Sequence, residues 1–164
     1  MAGSGTANPC SGSVDFALNS IGCNNFCVSL LSTVLYNFHK PVISIHNSDD
    51  AYVHDITYRN IVVENAFMQG DNGSNKELIE MTLQNSGWST VTDEFGSIDN
   101  ILIVGLTVLN TLDGKVPESR FAGQGSENQL TNVTLRNIHI LGQPIQDLKA
   151  LHANVNEFCG IIVE

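Results

Sequence analysis

Hydrophobic and polar residues follow a regular pattern between Val53 and Val63. Counted from Val53 as position zero, apolar side chains stand at positions 0, 3, 5, 8 and 10 of this segment. Position 2 is Asp55 and position 7 is Asn60, so two short alternating runs flank one turn residue. The pattern predicts a strand, a turn and a second strand.

The same pattern returns twice further along the chain. Its apolar positions are filled by Ile98, Ile101, Ile103, Leu106 and Val108 in one copy, and by Leu130, Val133, Leu135, Ile138 and Ile140 in the next. Across the three copies, position 2 is Asp55, Asn100 and Asn132, and position 7 is Asn60, Gly105 and Asn137. Asn and Gly tolerate the left-handed backbone that a sharp bend between two inward-facing strands requires. We therefore predict a sharp bend at position 7 of each copy.

Two fainter copies are predicted near the ends of the chain. One begins at Phe26, with Leu31, Val34 and Tyr36 in later apolar positions, and the other begins at Val155, with Phe158 and Val163. The starts at positions 26, 53, 98, 130 and 155 are unequally spaced. Unequal spacing of a constant pattern indicates loops of different length between fixed structural units.

Short apolar segments also lie between the copies, at 42–47, 78–83 and 119–122. Each repeat then holds three short strands and at least two turns, which is one coil of a parallel β-helix. We predict an all-β parallel β-helix of about four to five coils with long inserted loops, over residues 14–164. Residues 1–13 are predicted to form a loose N-terminal arm or a partial cap. The alternative is an antiparallel sandwich, which rarely repeats one strand-turn-strand pattern with Asn in its bend.

Several of these segments resemble a known enzyme family. They are residues 41–47 (Pro-Val-Ile-Ser-Ile-His-Asn), the Asn-Ile and Asn-Val repeats, and residues 119–123 (Ser-Arg-Phe-Ala-Gly). Together they look like the C-terminal coils of the polygalacturonase-like glycoside hydrolases (family 28 type), and the similarity spans residues 15–164. The resemblance implies a single-stranded, right-handed parallel β-helix, with a saccharide cleft on the face formed by the first strand of each coil.

Charge excludes several classes of partner. The chain has 17 acidic and 7 basic residues and a net charge of −10, whereas nucleic acids and anionic membranes bind to basic surfaces. No run of about 18 apolar residues exists, so no membrane-spanning segment is predicted. The N-terminus lacks the basic start and apolar core of a secretory signal, which predicts a cytoplasmic protein if that N-terminus is native. A signal that was trimmed is the alternative.

The four cysteines are Cys10, Cys23, Cys27 and Cys159. Cys23 and Cys27 have no second pair at metal-ligand spacing, so we predict no metal site. We also predict no cofactor. Cys23 and Cys159 are interpreted as small buried apolar residues, with a disulfide as the alternative.

Alternation in the first strand of each coil predicts which side chains face water. With the apolar residues of these strands turned inward, His46, Glu80, Thr82 and Arg120 point outward. Neighbouring coils lie about 4.8 Å apart, so His46, Glu80 and Arg120 are predicted to form a stacked polar row. In the resembled family this face carries the saccharide.

Asp49, Asp50 and Trp88 complete the predicted sugar-binding groove. The two aspartates follow the strand of the first coil, and Trp88 is the only tryptophan of the chain, available to stack on a sugar ring. Each candidate has a structural alternative. The aspartates form a solvated turn, Arg120 pairs with Glu80, and Trp88 covers a coil edge.

The catalytic motifs of the resembled family are missing. Hydrolysis there requires two or three carboxylates, and the family typically shows Asn-x-Asp, Asp-Asp, Gly-His-Gly and Arg-x-Lys on successive coils. Here Asp49-Asp50 is the only Asp-Asp, no Gly-His-Gly exists, and Ile79-Glu80-Met81 stands where Arg-x-Lys is expected. No catalytic residue can be assigned from the sequence.

Three functional hypotheses follow from these observations. The first is a carbohydrate-related module that binds an oligo- or polysaccharide, as a non-catalytic glycan-binding domain or as a remnant of a polysaccharide hydrolase. The second is a self-associating structural or interaction module, because a stack of coils ends in open strand edges. In both cases we expect a homo-oligomer formed through terminal coils or strand edges. We favour a protein without enzymatic activity, with an active glycoside hydrolase as the third hypothesis.

Overall fold

The computed structural model describes residues 17–20, 29–36, 41–67, 76–85, 89 and 95–164 of the 164-residue chain. All regular structure in these residues is β-strand, and none of it is helix. Accordingly, the described residues contain no helix long and apolar enough to cross a membrane. The prediction of an all-β protein is confirmed. The predicted arm at 1–13 lies outside the described residues.

Twelve strands follow one another along the described part of the chain. They are β1 (Ala17–Ser20), β2 (Ser29–Tyr36), β3 (Ile43–Asn47), β4 (Tyr52–Glu64), β5 (Ile79–Leu83), β6 (Ser97–Val108), β7 (Ser119–Ala122), β8 (Leu130–Arg136), β9 (Ile138–Ile140), β10 (Gln143–Ile145), β11 (Ala153–Val155) and β12 (Cys159–Val163). The three apolar segments predicted between the copies correspond to β3, β5 and β7.

The strands form two sheets with parallel neighbours. The A sheet has the order β1-β3-β5-β7-β11. In the B sheet β2 pairs with β4 and β4 with β6, β6 pairs with both β8 and β9, and β8 pairs with β12. Only β10, which pairs with β9, is antiparallel among the described strands. The chain therefore passes repeatedly from one sheet to the other while keeping its direction, and the antiparallel sandwich alternative is wrong.

The register of the B sheet aligns the three copies of the sequence pattern. Val53 lies opposite Ile98, which lies opposite Leu130, and the later apolar positions align in the same way. Every apolar position of the three copies is buried, at 2% exposure or less. Each fully buried aliphatic or aromatic side chain contributes roughly 1.5 to 3 kcal/mol. These apolar columns form the core predicted from the sequence.

Left-handed residues bend the B-sheet strands at two places in each copy. At the predicted bend, Asn60, Gly105 and Asn137 have φ of 55°, 73° and 54°. A second bend, which we did not predict, lies at position 2, where Asp55, Asn100 and Asn132 have φ of 56°, 53° and 52°. Asn and Asp adopt this conformation at less cost than other residues with a side chain. β4 and β6 continue through both bends over 13 and 12 residues, whereas the third copy is divided at Asn137 into β8 and β9.

The predicted alignment of the first copy is wrong by one residue. Leu31, Val34 and Tyr36 were expected to point inward, but Leu35 lies opposite Val63 and is 4% exposed. Val34 is 66% exposed. Because β2 carries apolar residues on both faces, alternation alone cannot choose the register, and a shift of one residue exchanges the two faces. The predicted start of this copy, at position 26, lies outside the described residues.

The last copy begins four residues later than predicted. Val155 belongs to the A sheet, where it lies opposite Phe121, and it is Cys159 that lies opposite Leu130. From Cys159 the chain reaches the next inward residue, Ile161, in two steps, whereas β8 takes three. The last copy thus lacks the left-handed residue at position 2, which is why a pattern of fixed spacing misaligned it.

Candidate functional site

The outer side of the A sheet brings three of the predicted binding residues together. Glu80 lies directly opposite Arg120 in the register between β5 and β7. His46 lies opposite Thr82, two residues further along the strand. Glu80 and Arg120 therefore share one row. The predicted row of three is wrong for His46, which occupies the neighbouring row and approaches Glu80 diagonally.

The carboxylate of Glu80 stands between the two basic side chains. Its Oε2 lies 3.0 Å from Nε2 of His46, and its Oε1 lies 3.7 Å from Nη1 of Arg120. Arg120 also donates from Nη2 to Oε1 of Gln84 at 3.4 Å. We call these four residues the A-sheet cluster. Gln84 was not among the predicted site residues, since it follows β5 and falls outside the alternating pattern.

Glu80 is short of hydrogen bonds despite these neighbours. The contact between Nε2 of His46 and Oε2 of Glu80 has an ion-pair distance, but its angles do not make a hydrogen bond. Neither atom has a hydrogen-bond partner elsewhere in the described part of the chain. Thr82 Oγ1 is likewise buried without a hydrogen-bond partner there. A buried polar atom without a hydrogen-bond partner costs free energy, so these three atoms are an energetic burden on the fold.

The exposure of the cluster differs from the prediction. Glu80 and Thr82 were expected to face water, but they are 3% and 0% exposed. The side chains of His46 and Arg120 are 20% and 40% exposed. Glu80 is therefore the buried centre of the cluster, and His46 and Arg120 are the members that solvent and a ligand can reach.

The two neighbouring aspartates have different environments. Both lie in the turn between β3 and β4, where Asp49 is fully buried and Asp50 is exposed. The backbone oxygen of Asp49 accepts a hydrogen bond from the Gly96 amide at 2.9 Å. The solvated-turn alternative fits Asp50 and does not fit Asp49.

The turn after β3 is packed closely against the start of β6. Asn47 donates from Nδ2 to the backbone oxygen of Ala51 at 2.6 Å and to that of Ser97 at 3.4 Å. A Cβ on Gly96 would stand 1.7 Å from the Ala51 oxygen, so only glycine fits there. Ser89, which follows β5, donates from Oγ to the backbone oxygen of Ser48 at 2.7 Å. This bond connects the segment after β5 to the turn after β3. Trp88 lies outside the described residues.

A second polar cluster, which the sequence analysis missed, lies at the first bend of the B sheet. The rings of Tyr52 and His54 stack, with centroids 4.4 Å apart and planes inclined by 22°. Tyr52 donates from its hydroxyl to Oδ2 of Asp99 at 3.1 Å, and Nδ1 of His54 lies 2.7 Å from Oδ2 of Asp55. Each ring is thus held by a carboxylate.

Side chains at the bend connect each copy to the next. Asn100 Nδ2 donates to Oδ1 of Asp55. Asn132 Nδ2 and Thr131 Oγ1 donate to Oδ1 of Asp99, at 2.7 and 2.6 Å. We call this set the B-sheet ladder; its members are Tyr52, His54, Asp55, Asp99, Asn100, Thr131 and Asn132. The repeated Asp or Asn at position 2 is the sequence feature that could have revealed this ladder. The sequence does not show which side chain of the neighbouring copy each of these residues bonds.

Hydrogen bonds in the B-sheet ladder change the acidity of its members. The bonds from Asn100 and then from His54 hold the pKa of Asp55 below its ordinary value. Burial raises the pKa of Asp99, but the bonds from Thr131 and other donors outweigh it, so the net pKa is lowered. The bond from its hydroxyl to Asp99 is the main cause of the raised pKa of Tyr52. All three shifts favour the protonation states present near neutral pH.

The A-sheet cluster combines a carboxylate, an imidazole and a guanidinium, which can exchange hydrogen bonds with a polar ligand. Glycoside hydrolysis ordinarily uses two carboxylates on either side of the scissile bond, and the cluster contains one, Glu80. Among the described residues no group of three or more His, Cys, Asp or Glu side chains is placed to hold a metal ion. Cys159 is a free, partly buried thiol whose pKa is raised by burial.

No protein-family model, no curated protein and no solved structure matches this chain. The resemblance to polygalacturonase-like hydrolases therefore stays a prediction, and the function has to be argued from the geometry of the two clusters.

Proposed function

We propose that this protein is a non-catalytic carbohydrate-binding module that holds an oligosaccharide against the outer side of the A sheet, at His46, Glu80 and Arg120. Its evolutionary origin would be a polysaccharide hydrolase that kept its coils and lost its catalytic residues. The single observation that carries the proposal is the buried Glu80, whose Oε2 lacks a hydrogen-bond partner while two reachable basic side chains stand beside it.

We also propose that the coils form a single-stranded, right-handed parallel β-helix. Parallel strands that alternate between the A and B sheets support this architecture. Crossover connections between parallel strands of one sheet are right-handed in about 98% of cases, which favours the right-handed form. The outer side of the A sheet then corresponds to the face that carries the saccharide in the resembled family.

Sugar hydroxyl groups suit this cluster because each of them both donates and accepts hydrogen bonds. A hydroxyl that enters beside the exposed Arg120 can accept from its guanidinium and donate to Oε2 of Glu80, an atom that is buried in the unliganded protein. Hydrogen bonds to charged groups are the stronger class, so a few such contacts orient a ligand.

Charge selects among glycans. The chain carries a net charge of −10, and the positive charge of Arg120 is offset by Glu80 at 3.7 Å. A polyuronate would approach this surface against electrostatic repulsion. The proposed ligand is therefore a neutral oligosaccharide.

Binding of neutral and acidic glycans to the intact protein tests the proposal. Arg120→Gln should weaken binding of a neutral oligosaccharide by about tenfold, because it removes a charged hydrogen-bond donor. Arg136→Gln is the matched control, since Arg136 pairs with Glu164 on the B sheet at 2.5 Å and is 52% exposed. Titration calorimetry after a glycan array provides the measurement.

Three results would overturn the proposal. The first is that no glycan binds, and the second is that the two arginine variants bind alike. The third is release of reducing ends from a bound polysaccharide, which would make the protein a hydrolase. Thermal unfolding of each variant separates loss of the site from loss of the fold.

A further inference from the structure

A cavity of about 310 Å³ lies between the ends of β4 and β6 and the starts of β5 and β7. Its walls come from the residues after β4, from Lys76 before β5, and from the loop that joins β6 to β7. Sites for small ligands commonly have volumes of about 300 to 1,000 Å³. The cavity therefore has room for a small molecule, and it shares no residue with the A-sheet cluster.

Backbone contacts fix the floor of this cavity. Ala66 and Thr111 form a parallel bridge, and the Leu112 amide donates to the Ala66 oxygen at 3.0 Å. The Leu78 amide donates to the backbone oxygen of Glu118 at 2.6 Å, which attaches the end of the loop to the segment before β5. The floor is thus part of the packing between neighbouring copies.

Side-chain hydrogen bonds hold the loop above this floor. Thr111 donates from Oγ1 to the backbone oxygen of Lys115 at 2.9 Å, and the Lys115 amide donates to Oδ1 of Asp113 at 3.2 Å. Between them Gly114 takes a left-handed conformation, with φ of 68°. Binding costs less free energy when the loop of a site is already ordered. The cavity is therefore a preformed site.

Four charged side chains line the cavity, two of each sign. They are Lys76, Lys115, Asp113 and Glu118, and all four residues are exposed. None of them makes an ion pair with a residue in the described part of the chain. The turn uses one oxygen of Asp113, so Glu118 is the more available carboxylate. Opposite charges thus surround one space without neutralising each other.

Apolar side chains complete the lining. Phe67, Val116 and Pro117 are partly buried and contribute to the wall. A ligand that covers these side chains removes apolar surface from water, which favours binding. The cavity therefore suits a molecule that carries both charge and a hydrocarbon part.

The distribution of charge selects the class of ligand. The net charge of −10 on the chain repels anions, and the two lysines of the cavity repel cations. A zwitterion has no net charge and avoids both penalties. Its carboxylate can accept hydrogen bonds from lysine, and its ammonium can donate to a carboxylate, and both are charge-assisted contacts.

We propose that this cavity binds a free α-amino acid with an apolar side chain. The carboxylate of the ligand contacts Lys76 and Lys115, and its ammonium group contacts Glu118. The apolar side chain of the ligand packs against Phe67 and Val116. This proposal is independent of glycan binding, because the two sites use different residues.

Binding of free amino acids to the intact protein tests the proposal. We expect a thermal-shift screen to select amino acids with apolar side chains, with glycine much weaker, and calorimetry then gives the affinity. The N-acetyl derivative of the best ligand lacks its ammonium, and the amide derivative lacks its carboxylate. Each derivative should bind about tenfold more weakly than the parent, because a charged hydrogen bond is lost.

Two substitutions assign the charges of the ligand to residues of the cavity. Lys115→Gln should weaken binding of the amino acid by about tenfold and leave binding of its amide unchanged, because the amide has no carboxylate to lose. Glu118→Gln should weaken the amino acid equally and leave its N-acetyl derivative unchanged. Lys149→Gln and Glu127→Gln are the matched controls, since both residues are exposed and lie outside the cavity.

Each contrary result overturns the proposal. One is that no free amino acid binds, and another is that the parent and its two derivatives bind alike. Acetate or inorganic phosphate binding in place of amino acids would make the cavity an anion site. Equal losses in cavity and control variants would place the site elsewhere. Unfolding curves confirm that each variant is folded, and glycan affinity should be the same in all four.

Discussion

The A-sheet cluster and the B-sheet ladder differ in how their carboxylates are hydrogen-bonded. In the ladder, Asp99 is partly exposed and accepts hydrogen bonds from three side chains, and Asp55 accepts from a neighbour in the next copy. In the cluster, Glu80 is almost fully buried, yet Oε2 has no hydrogen-bond partner in the described part of the chain.

Under the proposed function, this difference separates a structural role for the ladder from a recognition role for the cluster. Ladder residues recur in register from copy to copy and satisfy one another, so they hold the bends in place and leave few groups for a ligand. Stability alone would favour an apolar residue in place of a buried, under-bonded carboxylate. This cost is the reason why we propose a binding role for Glu80.

Asp99→Ala should have the largest effect on stability. It leaves the hydroxyls of Thr131 and Tyr52 and the amide of Asn132 without their acceptor, at the bend that joins two copies. We expect the free energy of unfolding to fall by about 1 to 2 kcal/mol, because water replaces part of each lost bond. Urea unfolding followed by circular dichroism measures this change.

Glu127→Ala is the control for that experiment, because Glu127 is exposed in the loop before β8. Surface substitutions of this kind stay within about 0.5 kcal/mol of the wild type. Equal losses in the two variants would mean that the ladder adds nothing beyond surface charge. Glycan binding should be the same in both.

Glu80→Gln should separate stability from binding on the other sheet. The substitution keeps the shape of the side chain and removes its charge, and Arg120, at 40% exposure, can remain hydrated. We expect the free energy of unfolding to change by less than about 1 kcal/mol, since a buried ion pair gives little net stabilisation. Affinity for a neutral oligosaccharide should fall by roughly tenfold, because the strongest acceptor is lost.

Stability and glycan affinity have to be measured together on the Glu80→Gln variant, because only their combination separates the two roles. A large loss of stability with unchanged glycan affinity would make Glu80 a structural residue and would remove the contrast between the two sheets. Conversely, a loss of affinity at constant stability would confirm that the cluster is maintained for recognition. Calorimetric titration and urea unfolding on the same preparation provide both numbers.

Acid titration should produce the smallest effect, and it reports on the ladder. The pKa values of Asp55 and Asp99 are lowered in the folded protein from an unfolded value of 3.8. Their contribution to stability is therefore complete above pH 3.8 and is lost as the pH falls through the lower, folded pKa values. Asp99→Asn should make the dependence of the unfolding free energy on pH shallower in this range. An unchanged slope would contradict the proposed hydrogen bonds.

The core was predictable because its information is local and repeated. Three copies of one pattern, from Val53, Ile98 and Leu130, identified the buried positions and the bend at position 7 without any coordinates. Alternation also placed Glu80 and Arg120 in one row. These inferences needed only the period of two along a strand and the conformational preference of Asn and Gly.

The predictions were wrong where contacts with other strands, and not the local hydrophobic pattern, determine the register or the burial of a residue. In β2 both faces are apolar, so neighbouring β4 sets the register and Val34 ends up in solvent. In β12 the pattern assigned Val163 to position 8, whereas it occupies position 5, and the step from Cys159 to Ile161 is one residue shorter than in β8, so the predicted start came four residues early. The burial of Glu80 and the pairing of Asp99 with Thr131 depend on contacts between distant segments, which one sequence does not reveal.

The parallel register also determines how this chain must be made. Val53 meets its partner Ile98 only after 45 further residues have been synthesised, and a ribosome adds roughly 5 to 20 residues per second. During those seconds one edge of the newest B-sheet strand has no partner strand. The loops that separate the copies therefore set how long the outer edge of each new B-sheet strand waits for its partner during synthesis.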